Sequence, residues 1–312
     1  MRATVCLSIA LTLFALQGCE LLNISDSSTP KVFAHRGLSG QWHQNSRLSV
    51  EQTLQGIQNK NLSVQGLELD VVLTRDGVPV FSHDPWVHLQ LCRRTNGEPM
   101  IEMLIKDFTL KEIQQQFECG LPDPAFAQAK RRLETIYSMP ELLALLKQYP
   151  KVPLYLDVKI DKGLTAKPHE YARALAHYWR NAALPNPLFL EGPSLAALAT
   201  YRQAFTGLPY TAVLSYPAFG ALENWTQVGA VAAAKTAGRP TRPVEKARNA
   251  QAQAIAVPLV VMNPMAARQL QKAEIDFYVY PVNNQADYSK ACELGAKWVL
   301  ADFELNRECN EP

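Results

Sequence analysis

The 312-residue chain has no excess of charge of either sign: 31 Lys and Arg against 29 Asp and Glu leave a formal net charge of +2. A polyanion binder needs a concentrated basic surface, so nucleic acid is not an expected partner. Long apolar runs are scarce as well. Residues 5–16 make a run of 12 and residues 254–262 a run of nine, against the roughly 18 that a membrane-spanning helix needs. No cysteine pair has CxxC spacing, which argues against a cysteine-held metal. G-x-S-x-G is missing too: Ser39, in Gly37-Leu38-Ser39-Gly40, lacks the flanking pattern of a serine hydrolase nucleophile. There is no internal repeat, and nothing in the chain implies a protein partner.

One stretch stands apart from the fold. Residues 1–18 have the form of an export leader, with Arg2 as the basic part followed by the apolar run. Leu16-Gln17-Gly18-Cys19 resembles a lipobox, which implies that Cys19 is acylated and becomes the N-terminus. An ordinary cleaved leader, with Cys19 incidental, is the plainer alternative. Glu20 after the cysteine favours the outer membrane of a Gram-negative cell. The expectation is an exported protein, lipid-anchored on the periplasmic side. Residues 19–30, rich in Ser and Thr, read as a tether, and 31–312 as the folded body.

Cysteine use agrees with export. Apart from Cys6 in the leader and Cys19, the chain has Cys92, Cys119, Cys292 and Cys309. Four cysteines allow three pairings. Sequence neighbours are the expected partners, Cys92 with Cys119 and Cys292 with Cys309, each bond worth about 3 kcal/mol. Buried free thiols are the alternative.

Eight short apolar runs, at 32–34, 66–72, 154–158, 187–190, 210–214, 254–261, 277–280 and 298–301, are separated for the most part by helical patterns. The patterns fall at 49–59, 138–148, 168–182, 194–205, 265–273 and 286–294. Strands alternating with helices predict an α/β fold, one parallel (β/α)8 barrel. A ninth run, 78–82, follows the second strand across only Arg75-Asp76-Gly77. A parallel crossover needs a dozen residues or more, so this link is read as a hairpin above the barrel. Residues 85–135 then form an insertion after the second strand, with its own helix at 110–117. Gly238-Arg239-Pro240-Thr241-Arg242-Pro243 interrupts an alanine-rich helical pattern and reads as an exposed loop.

Gly66-Leu67-Glu68-Leu69-Asp70-Val71 carries the first chemical signal. Side chains alternate along a strand, so Glu68 and Asp70 share one face and the apolar residues the other. With the apolar face against the helices, both carboxylates point at the barrel axis, where burial without a cation is costly. Leu154-Tyr155-Leu156-Asp157-Val158-Lys159 repeats the pattern, with Tyr155, Asp157 and Lys159 facing the axis. Three converging carboxylates suit a hard divalent cation, Ca2+ or Mg2+. A salt bridge from Lys159 to one of them is the competing explanation. His35 ends the first strand and His83 the hairpin, both on the side where barrel active sites are built. Two imidazoles beside a cation suit a reaction that makes a nucleophile and releases an alcohol. Arg36 adds a planar charge shaped for phosphate oxygens.

Taken together, these residues resemble the glycerophosphodiester phosphodiesterases. The family's opening motif is similar to His35-Arg36-Gly37 and Gln44-Asn45, its acidic strand to Glu68-Leu69-Asp70, and its turn and second histidine to Asp76-Gly77 and His83-Asp84. Residues 133–141, Tyr280-Pro281-Val282-Asn283 and the stretch from Gly295 to Asp302 look like later family motifs. The resemblance implies a distorted TIM barrel that hydrolyses glycerophosphodiesters to glycerol 3-phosphate and an alcohol. It implies metal binding by Glu68, Asp70 and Asp157, acid–base catalysis by His35 and His83, and substrate contacts from Arg36, Lys159 and Tyr280.

Three positions depart from that pattern. Gln44 stands for glutamate, Asp157 for glutamate, and Tyr280 for tryptophan. Two other functions fit the same fold. One is phospholipase D-like action on lysophospholipids or sphingolipids, suggested by the order Asp157-Val158-Lys159. The other is a non-catalytic binding lipoprotein.

Overall fold

The computed structural model describes residues 29–215 and 243–309. The leader, Cys19, most of the tether and the 238–242 break lie outside the described residues. Of the expected exposed loop only Pro243 is described, and it is buried as the first residue of a helix. Proline suits that position, because the first turn has no partner for a backbone N–H.

Eight strands close into a parallel barrel: β1 (Lys31–Ala34), β2 (Gly66–Leu73), β3 (Leu154–Val158), β4 (Leu188–Gly192), β5 (Thr211–Ser215), β6 (Ala254–Pro258), β7 (Asp276–Tyr280) and β8 (Trp298–Ala301). Each pairs with the next in chain order, and β1 pairs with both β2 and β8, so no edge is left open. With the enclosing helices this is a TIM barrel. The helices are α1 (Arg47–Gln58), α2 (Met139–Leu146), α3 (Pro168–Ala182), α4 (Leu195–Ala204), α5 (Pro243–Ala250), α6 (Pro264–Lys272) and α7 (Gln285–Leu294).

Helix α3 shows how sequence writes the outer layer. Pro168 opens it, and Tyr171, Ala172, Leu175, Ala176 and Trp179 are buried, one stripe at helical spacing. Ala183 closes it in the left-handed region at φ 50°. That stripe joins a single large core with the outward residues of the strands, among them Leu67, Leu69, Val71, Leu154, Leu156 and Val158. The inward residues form a separate aromatic core inside the barrel. Phe33 stacks on Trp298 at 3.9 Å and meets Tyr155 and Phe189 edge-on at 5.1 and 5.3 Å. Gly66 makes room for Phe33, whose ring a Cβ there would strike at 2.5 Å.

Strand β2 outruns its parallel neighbours. Residues 71–73 pair antiparallel with Pro79–Phe81, as the short link requires. The insertion that follows has its own core, in which Val87, Leu91, Ile105, Ile113 and Phe117 pack on Val72 and Val80 of the hairpin. Its helix, Leu110–Gln116, starts at a capping box between Thr109 and Glu112. A two-stranded ribbon, Cys92–Arg94 with Phe117–Cys119, sets Cys92 opposite Cys119, and the two form a disulfide. Cys292 and Cys309 form the second, which ties the end of the described chain to α7.

Candidate active site

The turn after β1 aims the first two functional side chains. Arg36, Gly37 and Leu38 follow one another at φ 51°, 79° and 64°. Gly37 cannot carry a side chain, since a Cβ would lie 2.5 Å from Ser49 Oγ. This compact turn folds Arg36 back over β2, and its backbone N–H donates to Glu68 Oε2 at 2.7 Å.

His35 is held by an acid from the far end of the sequence. Its Nδ1 lies 2.7 Å from Asp302 Oδ1, just beyond β8. Asp302 also accepts from Ser39 Oγ and, at 2.6 Å, from Asn283 Nδ2. Burial alone would raise the Asp302 carboxyl, but His35 and these donors hold it below the usual carboxylate range. An ionised Asp302 requires the proton on Nδ1. That leaves Nε2 as the free nitrogen, 3.9 Å from Glu68 Oε2.

Glu68 and Asp70 are both buried and face the axis, as strand alternation requires. Asp70 is well compensated: Oδ1 lies 3.0 Å from Lys159 Nζ, and Oδ2 lies 3.0 Å from Arg36 Nε and accepts from Asn45 Nδ2 at 2.8 Å. Burial pushes its carboxyl up, yet Lys159 and Arg36 bring it well below the ordinary range. Lys159 also reaches Asp157 Oδ2 at 2.7 Å, so it bridges two acids rather than one. Glu68 is the less compensated member. Burial, then Asp70 and Asp157, push its carboxyl well above the ordinary value, against the Arg36 N–H and guanidinium.

Among the described residues, no three His, Cys, Asp or Glu side chains stand ready as a metal cluster. Arg36 and Lys159, expected on substrate phosphate, lie against the carboxylates Asp70 and Asp157. The donor chemistry still fits a hard divalent cation, because three oxygen acids share two cationic side chains and Glu68 pays a penalty that added positive charge would relieve.

His83 lines a cavity together with Asn45, the residue that donates to Asp70. Its Nδ1 is 3.0 Å from Asp84 Oδ1, and Asp84 Oδ2 lies 3.6 Å from His88 Nε2. Burial, Arg36 and Lys159 push the His83 imidazole below its ordinary pKa, against the attraction of Asp70. With His35 Nε2 lying 3.9 Å from Glu68 Oε2 and His83 sharing that cavity with Asn45, both imidazoles border one acidic cluster. Tyr280 ends β7, half-buried among the interior aromatics.

Several groups here lie outside the expected set. Asp302 continues the inward row Trp298, Leu300 on β8, and Glu191 follows Phe189 on β4 by the same period of two. Both lie one residue beyond the apolar runs 298–301 and 187–190, within reach of the alternation argument. Glu191 accepts from Tyr155 and Ser215 hydroxyls. Burial, then Asp157, push its carboxyl up to about 8. Asp123, in the insertion, accepts from Gln44 Nε2 at 2.9 Å, and no local pattern marks it.

Comparison with known proteins bears on the family and the fold. The model of the glycerophosphoryl diester phosphodiesterase family matches residues 35–304. YhdW of Bacillus subtilis is 25% identical over 273 residues, covering 87% of this chain and 94% of that protein. A Silicibacter pomeroyi structure superposes with a TM-score of 0.72 at 20% identity, over 89% of this chain and 91% of that one. An Oleispira antarctica phosphodiesterase, solved with the product sn-glycerol-3-phosphate, gives a TM-score of 0.65 at 19% identity, over 88% and 94%. A match spanning the barrel from the first histidine to beyond Asp302 leaves one assignment: this chain belongs to the glycerophosphoryl diester phosphodiesterase family.

Proposed function

We propose that the chain hydrolyses glycerophosphodiesters to sn-glycerol 3-phosphate and a free alcohol, with a divalent cation at Glu68, Asp70 and Asp157 and with His35 and His83 moving the protons. The observation that carries this reading is the pair of imidazoles, each braced by its own carboxylate, bordering one buried acidic cluster. When bound, the cation would offset negative charge on the phosphodiester and favour ionisation of the attacking oxygen.

His35 takes the nucleophile's proton at Nε2, and Asp302 stabilises the imidazolium that forms. A neighbouring glycerol hydroxyl is the first nucleophile, with water attacking in a second step. His83, braced by Asp84, supplies the proton to the leaving alcohol. Its imidazole is low in pKa partly because of Arg36 and Lys159. Burial is the larger cause and stays, but an anionic diester drawn to those two side chains would offset their effect and help His83 hold the proton it must give. Arg36 and Lys159 then face the charge that builds on phosphorus.

The leader and Cys19 support export and a lipid anchor, which would set this mouth on the periplasmic side of a membrane. One assay series tests both parts. Full-length protein and Cys19→Ser, separated into membrane and soluble fractions, are given glycerophosphocholine with chelator and with Ca2+ or Mg2+ added back. Glycerol 3-phosphate should appear only with the ion, and from the membrane fraction unless Cys19 is replaced. Hydrolysis that ignores the chelator would overturn the metal reading. Cleavage of lysophospholipid with none of glycerophosphocholine would favour the phospholipase D-like alternative.

A further inference from the structure

The limb of the insertion after Cys119 is sewn to the first loop of the barrel. Lys130 N–H donates to Gln41 O at 2.8 Å, and His43 N–H to Lys130 O at 2.9 Å. Phe126 meets Phe303 edge-on at 5.8 Å, so the limb also reaches the segment that follows β8. Just ahead of these anchors in the chain Asp123 is braced, its Oδ1 accepting from Ala125 N–H at 2.8 Å. Its Oδ2 accepts from Gln44 Nε2 at 2.9 Å, and Gln44 Oε1 accepts from Arg36 Nη1 at 2.9 Å.

An amide has one donating and one accepting end. Here a carboxylate takes the first and a guanidinium the second, so both neighbours select the same orientation. Glutamate at position 44 could serve Arg36, but its other oxygen would face the Asp123 carboxylate. The two charges would then repel in a half-buried site.

We propose that Asp123 is a positioning residue for Arg36, acting through the Gln44 amide, and that glutamine at 44 is matched to a carboxylate supplied by the insertion. This rests on the reading of Arg36 as a phosphate-binding side chain. Arg36 Nε already lies on Asp70. Without the Gln44 carbonyl to hold Nη1, the guanidinium is drawn further onto the acids and away from a bound phosphate.

A charge-exchange cycle tests it, with Gln44→Glu, Asp123→Asn and the double variant Gln44→Glu/Asp123→Asn, and with Asp123→Ala as a further single change. Kinetics on glycerophosphocholine are measured alongside calorimetric affinity for sn-glycerol 3-phosphate, and thermal unfolding checks that each variant folds. Each single change should raise KM and weaken glycerol 3-phosphate binding by about fivefold or more, with kcat moving less. The double variant should return to within about twofold of the parent, because the amide introduced at position 123 can donate to the carboxylate introduced at position 44, whose other oxygen still holds Arg36. Singles that bind like the parent, or a double variant no better than the singles combined, would overturn the proposal. A parent that binds glycerol 3-phosphate without cleaving diesters would instead sink the hydrolase reading and leave the cycle readable by binding. If the parent binds neither ligand, crystal structures of the parent and Asp123→Ala decide, and an unmoved Arg36 guanidinium counts against the relay.

Discussion

Inside the barrel, Phe33, Tyr155 and Phe189 pack against one another and Trp298. Two residues further along the same three chain segments stand His35, Asp157 and Glu191. Both sets project inward by the same alternation, yet one is a dry aromatic plug and the other a cluster of ionisable groups. The plug stabilises through burial and ring packing, and it excludes water from below. The cluster is costly to bury, and only its internal ion pairs and hydrogen bonds make it tolerable. Floor and mouth therefore divide stability from chemistry along each strand.

Substitutions in the two layers should separate cleanly, and the largest effect belongs to the mouth. His35→Asn, whose amide can still donate to Asp302, should lower kcat by roughly 10²–10⁴-fold while leaving the urea midpoint close to that of the parent. A fall in stability matching the loss of activity would break the distinction. Next comes the floor: Phe33→Ala should cost roughly 3–5 kcal/mol in denaturant unfolding. The protein that remains folded should keep the parent's KM, and a KM shift would show that the plug also shapes the site.

Glu191 is the mouth residue that touches the floor, through the Tyr155 hydroxyl, and it shows itself as a slope with pH. Its folded carboxyl is raised from 4.5 to about 8. The folded state therefore holds a proton that the unfolded chain releases. Stability associated with this group is full below about pH 4.5 and is lost as pH rises toward 8. Glu191→Gln should flatten that part of the profile between those limits. An unchanged slope in thermal unfolding would assign it to another group.

Eight strands and the inward facing of Glu68, Asp70 and Asp157 were legible in the chain because each depends on local pattern, and the two cysteine pairs because each joins sequence neighbours. Apolar runs of strand length, a link too short for a parallel crossover and a period of two are properties of neighbouring residues. The Gly37 turn and the His83-Asp84 step were likewise visible as motifs. What local pattern could not supply was the partner of each group. Asp302 is 267 residues from His35, and Asp123 is 79 from Gln44. Nothing local pairs them.

The sequence by itself determined which side chains point inward and on which strands, since backbone geometry enforces alternation wherever a strand forms. Only the closed barrel decided which of those side chains meet. Closure brings β8 beside β1 and so puts Asp302 on His35, and the seated insertion puts Asp123 on Gln44. The same closure decided the charge states, because a carboxylate's pKa follows from burial and from the cations within a few ångströms. Those neighbours exist only once the chain has folded.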